Sequence, residues 1–140
     1  MRACSVWLAR VLVLASALIL PLGPAAAADD EVAIGKQNYL RYCGSCHGPK
    51  AKGDGLLSGT LNQKPADLTL IARKNGGKFP TAVIVSFIDG SKPVAAHGDR
   101  EMPVWGEVLK EEAPGAPAQD RAVQLKITSI VNYLKSIQQN

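Results

Sequence analysis

Cysteine is scarce in this sequence of 140 residues, and three cysteines are too few for a disulfide-held scaffold. Glycine and proline, at 13 and nine residues, are only slightly enriched, which excludes a collagen-like or low-complexity chain. No run of like charge is longer than the three acidic residues at 29–31. The length is that of one ordinary domain, so we expect a single domain.

Acidic residues are absent from the first 28 positions, and this segment has the pattern of a secretory signal peptide. Arg2 and Arg10 give it a positive start, a largely apolar run follows at 11–20, and four alanines end it at Ala28. A membrane anchor is the alternative, but a span needs about 20 apolar residues and Arg10 interrupts them. We therefore expect export, cleavage after Ala28 or one residue earlier, a mature domain at 29–140, and no stable membrane insertion.

The net charge of the mature chain is small. The whole chain has 16 basic and 12 acidic residues, a formal charge of +4. Without the first 28 residues, 14 basic and the same 12 acidic residues remain, which gives +2. Such an excess does not favour a surface for polyanions, so no nucleic-acid partner is predicted.

Hydrophobic residues in the mature chain recur with helical spacing and do not alternate convincingly with the strand period of two, which predicts an all-α protein. The clearest stripe has steps of four, three, four and three residues and comprises Val123, Ile127, Ile130, Leu134 and Ile137. A first helix is predicted at about 30–43, with Gly35 on its apolar face. Because glycine costs about 1 kcal/mol of helix propensity there, another backbone is expected to approach closely.

Two shorter helices are predicted at 66–74 and 81–88, and each is followed by glycine. Residues 91–105 are predicted to form a loop, and the prolines and glycine within 107–119 predict a surface linker. Short helices joined by long loops bury little apolar area, whereas ordering each residue costs about 1–2 kcal/mol. Something besides the side chains is therefore expected to complete the core.

Residues 43–47 read Cys-Gly-Ser-Cys-His, the C-x-x-C-H signature of c-type haem attachment. In this chemistry the thiols of Cys43 and Cys46 add to the two vinyl groups of one haem, and the two-residue spacer lets both sulfurs reach the ring. His47 is then held under the iron as its proximal ligand. A large apolar ring would also supply the missing core.

Three other kinds of site use the same residue types. A zinc site needs four ligands, and His47 directly after Cys46 makes joint ligation awkward. A thioredoxin-like redox pair belongs in a βαβ context, and no strand is predicted here. A disulfide between Cys43 and Cys46 would close a very small loop and gain little entropy. The adjacent histidine and the export signal favour haem over all three.

Met102 is the only methionine of the mature chain, and His97 is its only histidine besides His47. Met102 lies in a polar loop beside a proline, 55 residues after His47, which is unusual for a core side chain. We predict Met102, rather than His97, as the second axial ligand of the iron; a gap-filling methionine is the alternative. With His47 and Met102 both bound the iron has no open position, which favours electron transfer and raises the reduction potential.

From Val32 to about Ile137 the chain resembles a small class I cytochrome c of the bacterial periplasm. The motifs that carry the resemblance are the haem motif at 43–47, Gly-Asp-Gly at 53–55, Pro-Ala-Asp-Leu at 65–68 and Met-Pro-Val-Trp-Gly at 102–106. The resemblance implies the class I fold, in which three to five helices surround one covalently bound haem c and the N- and C-terminal helices cross. It implies that Gly35 and Tyr39 meet the last helix near Tyr133 and Leu134.

The resemblance also implies two contacts around the haem. A proline carbonyl would accept the proton of the second His47 ring nitrogen, which fixes the tautomer; Pro65 is the candidate and Pro49 competes with it. Trp105 would either donate its indole N–H to a haem propionate or pack beside the ring.

The predicted function is therefore electron transfer, with one electron carried on a covalently attached haem whose iron ligands are His47 and Met102. No catalytic residue is predicted, and the chain is not expected to be an enzyme. Its partners would be periplasmic redox proteins: a dehydrogenase, an oxidase or a membrane complex. One alternative is a haem subunit bound permanently to a dehydrogenase or oxidase. Another is a ligand-binding or peroxidatic haem protein, which requires that Met102 does not bind the iron.

Overall fold

The computed structural model describes residues 25–92, 102–112 and 119–139, with the backbone alone at 25–28. The predicted signal segment up to residue 24 and His97 lie outside the described residues. The described helices are α1 (Ala25–Tyr42), α2 (Gly44–His47), α3 (Ile71–Lys74), α4 (Thr81–Asp89), α5 (Trp105–Glu111) and α6 (Gln119–Ser136), with a 3₁₀ turn at Leu68–Leu70 before α3.

The predicted all-α class is confirmed, because these residues form helices and loops and contain no strand. Six α-helices in the described ranges exceed the three to five that were expected. The excess comes from α2 and α3, which are single turns of four residues each. None of the described helices combines the length and the hydropathy that a membrane span requires.

The contact between α1 and α6 is the centre of the fold, and it confirms that the N- and C-terminal helices meet. Gly35 is buried in this contact, and a Cβ atom there would collide with the carbonyl oxygen of Ser129 and lie 3.0 Å from the Cβ of Tyr133. The rings of Tyr39 and Tyr133 pack together with their centroids 5.2 Å apart. The close backbone approach expected from Gly35 is therefore present.

The hydrophobic stripe of α6 faces this core. Four of its members, Val123, Ile127, Ile130 and Leu134, are buried, and Ile137 packs against the core just after the helix ends. At the rim of the contact, the Asn38 amide donates to the Ser129 hydroxyl at 3.0 Å, and the Asn132 amide donates to Glu31 at 2.8 Å. These bonds fix the position of one helix along the other.

The end of the chain holds the turn that precedes α3. The side-chain amide of Gln138 donates to the carbonyl of Leu68 at 2.8 Å, and its oxygen accepts from the backbone N–H of Ala72 at 2.8 Å. The backbone N–H of Gln139 donates to the carbonyl of Thr69 at 2.8 Å. The 3₁₀ turn is thereby tied to α6, and it follows directly on the segment that meets His47.

The prediction of a surface linker at 107–119 is wrong for its first part, because Trp105–Glu111 is helix α5. Leu109 is only 2% exposed and belongs to the core. Trp105, four residues earlier, also packs against the core. The cluster of proline and glycine further along obscured this short i,i+4 pattern. Helix α4 ends as expected, with Gly90 in the left-handed conformation at φ 83°.

We predict that Gly35→Ala lowers the free energy of unfolding by about 1–3 kcal/mol, because the added methyl group meets a backbone carbonyl that moves only with the whole of α6. Denaturant unfolding followed by helical circular dichroism measures the change. Gly59→Ala is the matched control, since a Cβ at Gly59 has no atom within 4 Å. Equal stability of the two variants would contradict the tight crossing.

Candidate functional site

The Cys-x-x-Cys-His motif forms a helical turn at the end of α1. The backbone N–H of Cys43 donates to the carbonyl of Tyr39 at 2.8 Å, and that of His47 donates to the carbonyl of Cys43 at 2.9 Å. Residues three and four apart share one side of a helix, so this turn brings the Cys43, Cys46 and His47 side chains to the same side.

The glycine-rich loop that follows folds back along the motif. The backbone N–H groups of Gly53, Gly55 and Leu57 donate to the carbonyls of His47, Cys46 and Ser45 at 2.9, 3.1 and 2.9 Å. Gly53 has φ 73°, a conformation that glycine adopts without strain. The loop thereby braces the motif through backbone bonds.

The imidazole of His47 is held in one orientation by a backbone carbonyl. Its Nδ1 lies 3.0 Å from the carbonyl oxygen of Ala66, and the residue is 9% exposed. A carbonyl only accepts, so this bond requires the proton on Nδ1 and makes Nε2 the nitrogen that would bind a metal.

The expectation of a proline carbonyl at this position is wrong, because the acceptor is Ala66 and neither Pro65 nor Pro49. The Pro65 carbonyl instead lies over Gly53, where a Cβ atom would collide with it. With that carbonyl directed at the glycine, the next carbonyl along the chain is the one that meets His47.

A cavity with about 490 Å³ of empty space, its open mouth included, lies beside the motif. Its lining comprises Tyr42, Cys43, Cys46, His47, Leu61, Gln63, Pro65, Met102, Pro103 and Trp105. The four residues predicted to hold the haem thus line one cavity, although Met102 is 55 positions from the motif. His97 lies outside the described residues.

The two thiols differ in environment. Cys43 is 8% exposed, and burial, with a smaller effect of the nearby Cys46, raises the pKa of its thiol to about 12. Cys43 is therefore a neutral thiol at physiological pH, which is unfavourable for a thiolate nucleophile. Both cysteines are free.

The alternatives to haem find little support in this geometry. No three His, Cys, Asp or Glu side chains converge as a metal site within the described ranges. The chain there lacks the strands of a thioredoxin-like setting, and the two thiols are not joined in a disulfide.

Tyr42 and Trp105 form an aromatic wall of the cavity. Their rings meet edge to face with centroids 5.5 Å apart. Trp105 packs on Tyr42; packing beside a haem ring and a bond to a haem propionate both stay predictions. Tyr42 was not among the predicted site residues. Its place directly before Cys43 was the signal that it would line the same site.

The donor set and the cavity fit a covalently bound haem. Two thiols, an imidazole with its second nitrogen already bonded, and a thioether converge on a space lined mainly by apolar and aromatic side chains. Haem c requires this combination: two sulfurs at fixed spacing, axial ligands, and an apolar surface for the ring.

Comparison with known proteins gives no relative: no family model, curated protein or solved structure shows significant similarity to this chain. The resemblance to a family therefore rests on the sequence motifs alone.

Asp67 orders the turn beside the His47 acceptor. Its carboxylate accepts from the hydroxyl of Thr69 at 2.6 Å and from the backbone N–H of Thr69 at 2.9 Å. The hydroxyl bond is the main cause that lowers the pKa of Asp67, helped by the nearby Lys52 and Lys74.

We predict that Asp67→Asn has a lower free energy of unfolding than the parent near neutral pH. This difference between the two proteins should disappear in acid. A lowered folded-state pKa means that the charge stabilises the fold above the unfolded pKa of about 3.9. This stabilisation is lost as the pH falls through the lower folded pKa. Denaturant unfolding of both proteins between pH 7 and pH 3 measures the gap, and a gap independent of pH would contradict a role for the charge.

We predict that Gly53→Ala is less stable than Gly76→Ala by about 1–3 kcal/mol. Both glycines have positive φ, 73° and 65°. Both variants therefore place an alanine in the left-handed conformation, which costs about 1–2 kcal/mol in each. Only at Gly53 does the new Cβ collide with the carbonyl of Pro65; at Gly76 nothing lies within 4 Å. Chemical denaturation compares them, and equal losses would mean that Pro65 does not lie against the loop.

Proposed function

We propose that this protein is a periplasmic electron carrier of the class I cytochrome c type. One haem c would be attached through Cys43 and Cys46, with His47 and Met102 as the axial ligands of its iron. The observation that carries the proposal is the single cavity lined by all four of these residues. When bound, the haem supplies a one-electron couple between ferric and ferrous iron.

The protein contributes the orientation of the ligands. The Ala66 carbonyl holds the proton on Nδ1 of His47 and leaves Nε2 as the nitrogen that would bind the iron, and the bond would make the imidazole a stronger donor. The thioether of Met102 favours the ferrous state and raises the reduction potential. With both axial positions taken by the chain, the protein passes electrons to redox partners and carries out no bond chemistry of its own.

The surroundings of the cavity support the same function. Tyr42, Trp105, Leu61 and Pro65 give it an apolar and aromatic lining. A low-dielectric surrounding disfavours the extra charge of ferric iron, so it acts in the same direction as the thioether. Proposed partners are periplasmic dehydrogenases, oxidases or membrane redox complexes.

We predict that Met102→Ala abolishes the weak far-red sulfur-to-iron band of the oxidised protein, lowers the reduction potential, and opens the ferrous iron to carbon monoxide. The potential falls because water or an added imidazole favours ferrous iron less than a thioether does. Absorption spectroscopy and a redox titration measure these changes.

His97→Ala is the control, because His97 is the only other spare imidazole of the mature chain and should leave all three observables nearly unchanged. The reverse pattern would make the protein a bis-histidine cytochrome. Carbon monoxide binding by the unmutated protein would favour the ligand-binding alternative.

A further inference from the structure

Helix α5 decides where the loop with Met102 enters the cavity. It begins at Trp105, three residues after Met102, and its seven residues extend about 10 Å at 1.5 Å per residue. At its start, Gly106 packs so closely on α4 that a Cβ there would lie 2.5 Å from the carbonyl oxygen of Asp89. A contact that fixes the C-terminal end of α5 would therefore complete the positioning of Met102.

Tyr42 contacts both ends of α5. Its ring packs edge to face on Trp105 at the start of the helix, and its hydroxyl donates to Oε2 of Glu112, just past the helix end, at 2.8 Å. Tyr42 is 7% exposed and directly precedes Cys43. One side chain thus relates the methionine side of the cavity to the cysteine side.

Glu112 gathers further contacts from α1 and α6. The ammonium group of Lys126 lies 3.4 Å from Oε2 of Glu112 and 3.1 Å from the hydroxyl of Tyr42. The guanidinium of Arg41 lies 3.7 Å from Oε1. The Tyr42 bond first, and then Lys126 and Arg41, lower the pKa of Glu112, so its carboxylate is ionised at neutral pH. We name Arg41, Tyr42, Glu112 and Lys126 the Glu112 cluster.

We propose that Glu112 is a positioning residue that keeps Met102 against the cavity, through its bond to the Tyr42 hydroxyl and its ion pair with Lys126. The effect on the iron rests on the proposed function, since it requires Met102 as a ligand. Surface ion pairs by themselves contribute little. This cluster differs because its central bond starts at the partly buried hydroxyl of Tyr42, which loses its acceptor when Glu112 is removed.

The test compares the rate at which cyanide replaces the sixth ligand of the oxidised holoprotein in the parent, Glu112→Ala, Glu112→Gln and Asp120→Ala. Asp120 is the matched control, because its pair with Lys110 at 3.4 Å also joins α5 to α6 but does not include Tyr42. We expect the cyanide rate of Glu112→Ala to be higher than that of the parent by a factor on the order of five. The rise for Glu112→Gln should be smaller, since the amide oxygen still accepts from Tyr42. Asp120→Ala should match the parent.

The double variant Tyr42→Phe with Glu112→Ala isolates the hydrogen bond. If the two residues act through this bond, their effects on the cyanide rate overlap. Adding Tyr42→Phe to Glu112→Ala then raises the rate by a smaller factor than Tyr42→Phe alone raises it in the parent. Fully additive effects would overturn the role of the bond. The same cyanide rate in Glu112→Ala and Asp120→Ala would overturn the positioning role altogether, whatever their melting temperatures.

Amide hydrogen exchange at 105–111 separates failure of this inference from failure of the proposed function. If the parent holoprotein shows no far-red band, the proposed methionine ligation is wrong, and the exchange rates still test the cluster. Faster exchange in Glu112→Ala than in Asp120→Ala would support the positioning of α5 by Glu112. Equal exchange in the two variants would overturn it.

Discussion

The close approach of α1 and α6 at Gly35 is the constraint on which the rest of the structure depends. It fixes the direction of α1 and therefore the place where Cys43 begins the haem motif. Helix α6 also carries Lys126 and is followed by Gln138. The same contact therefore places the Glu112 cluster on one side of the cavity and the turn before α3 on the other side. Both sides of the cavity are thus set by one helix pair.

The described segments between these two helices bury few side chains of their own, because their helices are short. Helices α2 and α3 are single turns, and the loop after the motif is held by backbone bonds to residues 45–47. The space that such elements leave is the cavity, with a lining that is largely apolar and aromatic. A haem in that space would be part of the core as well as the redox group, which explains how a chain with so many loops forms a stable domain.

Much of this fold could be predicted because its signals are local. The stripe from Val123 to Leu134 and the glycine at 35 identify the two helices in contact, and the spacing of Cys43, Cys46 and His47 is the basis of the proposed haem attachment. The carbonyl that meets His47 could not be predicted, since it depends on how the Pro65 carbonyl lies over Gly53. Helix α5 was missed because its buried residues are few and a proline-rich segment follows. In the Glu112 cluster, the bond between Tyr42 and Lys126 joins residues 84 positions apart, and no sequence pattern extends over such a separation.

Covalent attachment of haem to the protein is the most direct test of the central claim. The protein is purified from the periplasm, unfolded, extracted with acidified organic solvent, and its spectrum in alkaline pyridine is recorded. The account predicts that the haem stays with the polypeptide, that the reduced spectrum is that of haem with both vinyl groups saturated, and that neither Cys43 nor Cys46 reacts as a free thiol. A colourless polypeptide with two titratable thiols, or a haem that the solvent removes, would contradict it.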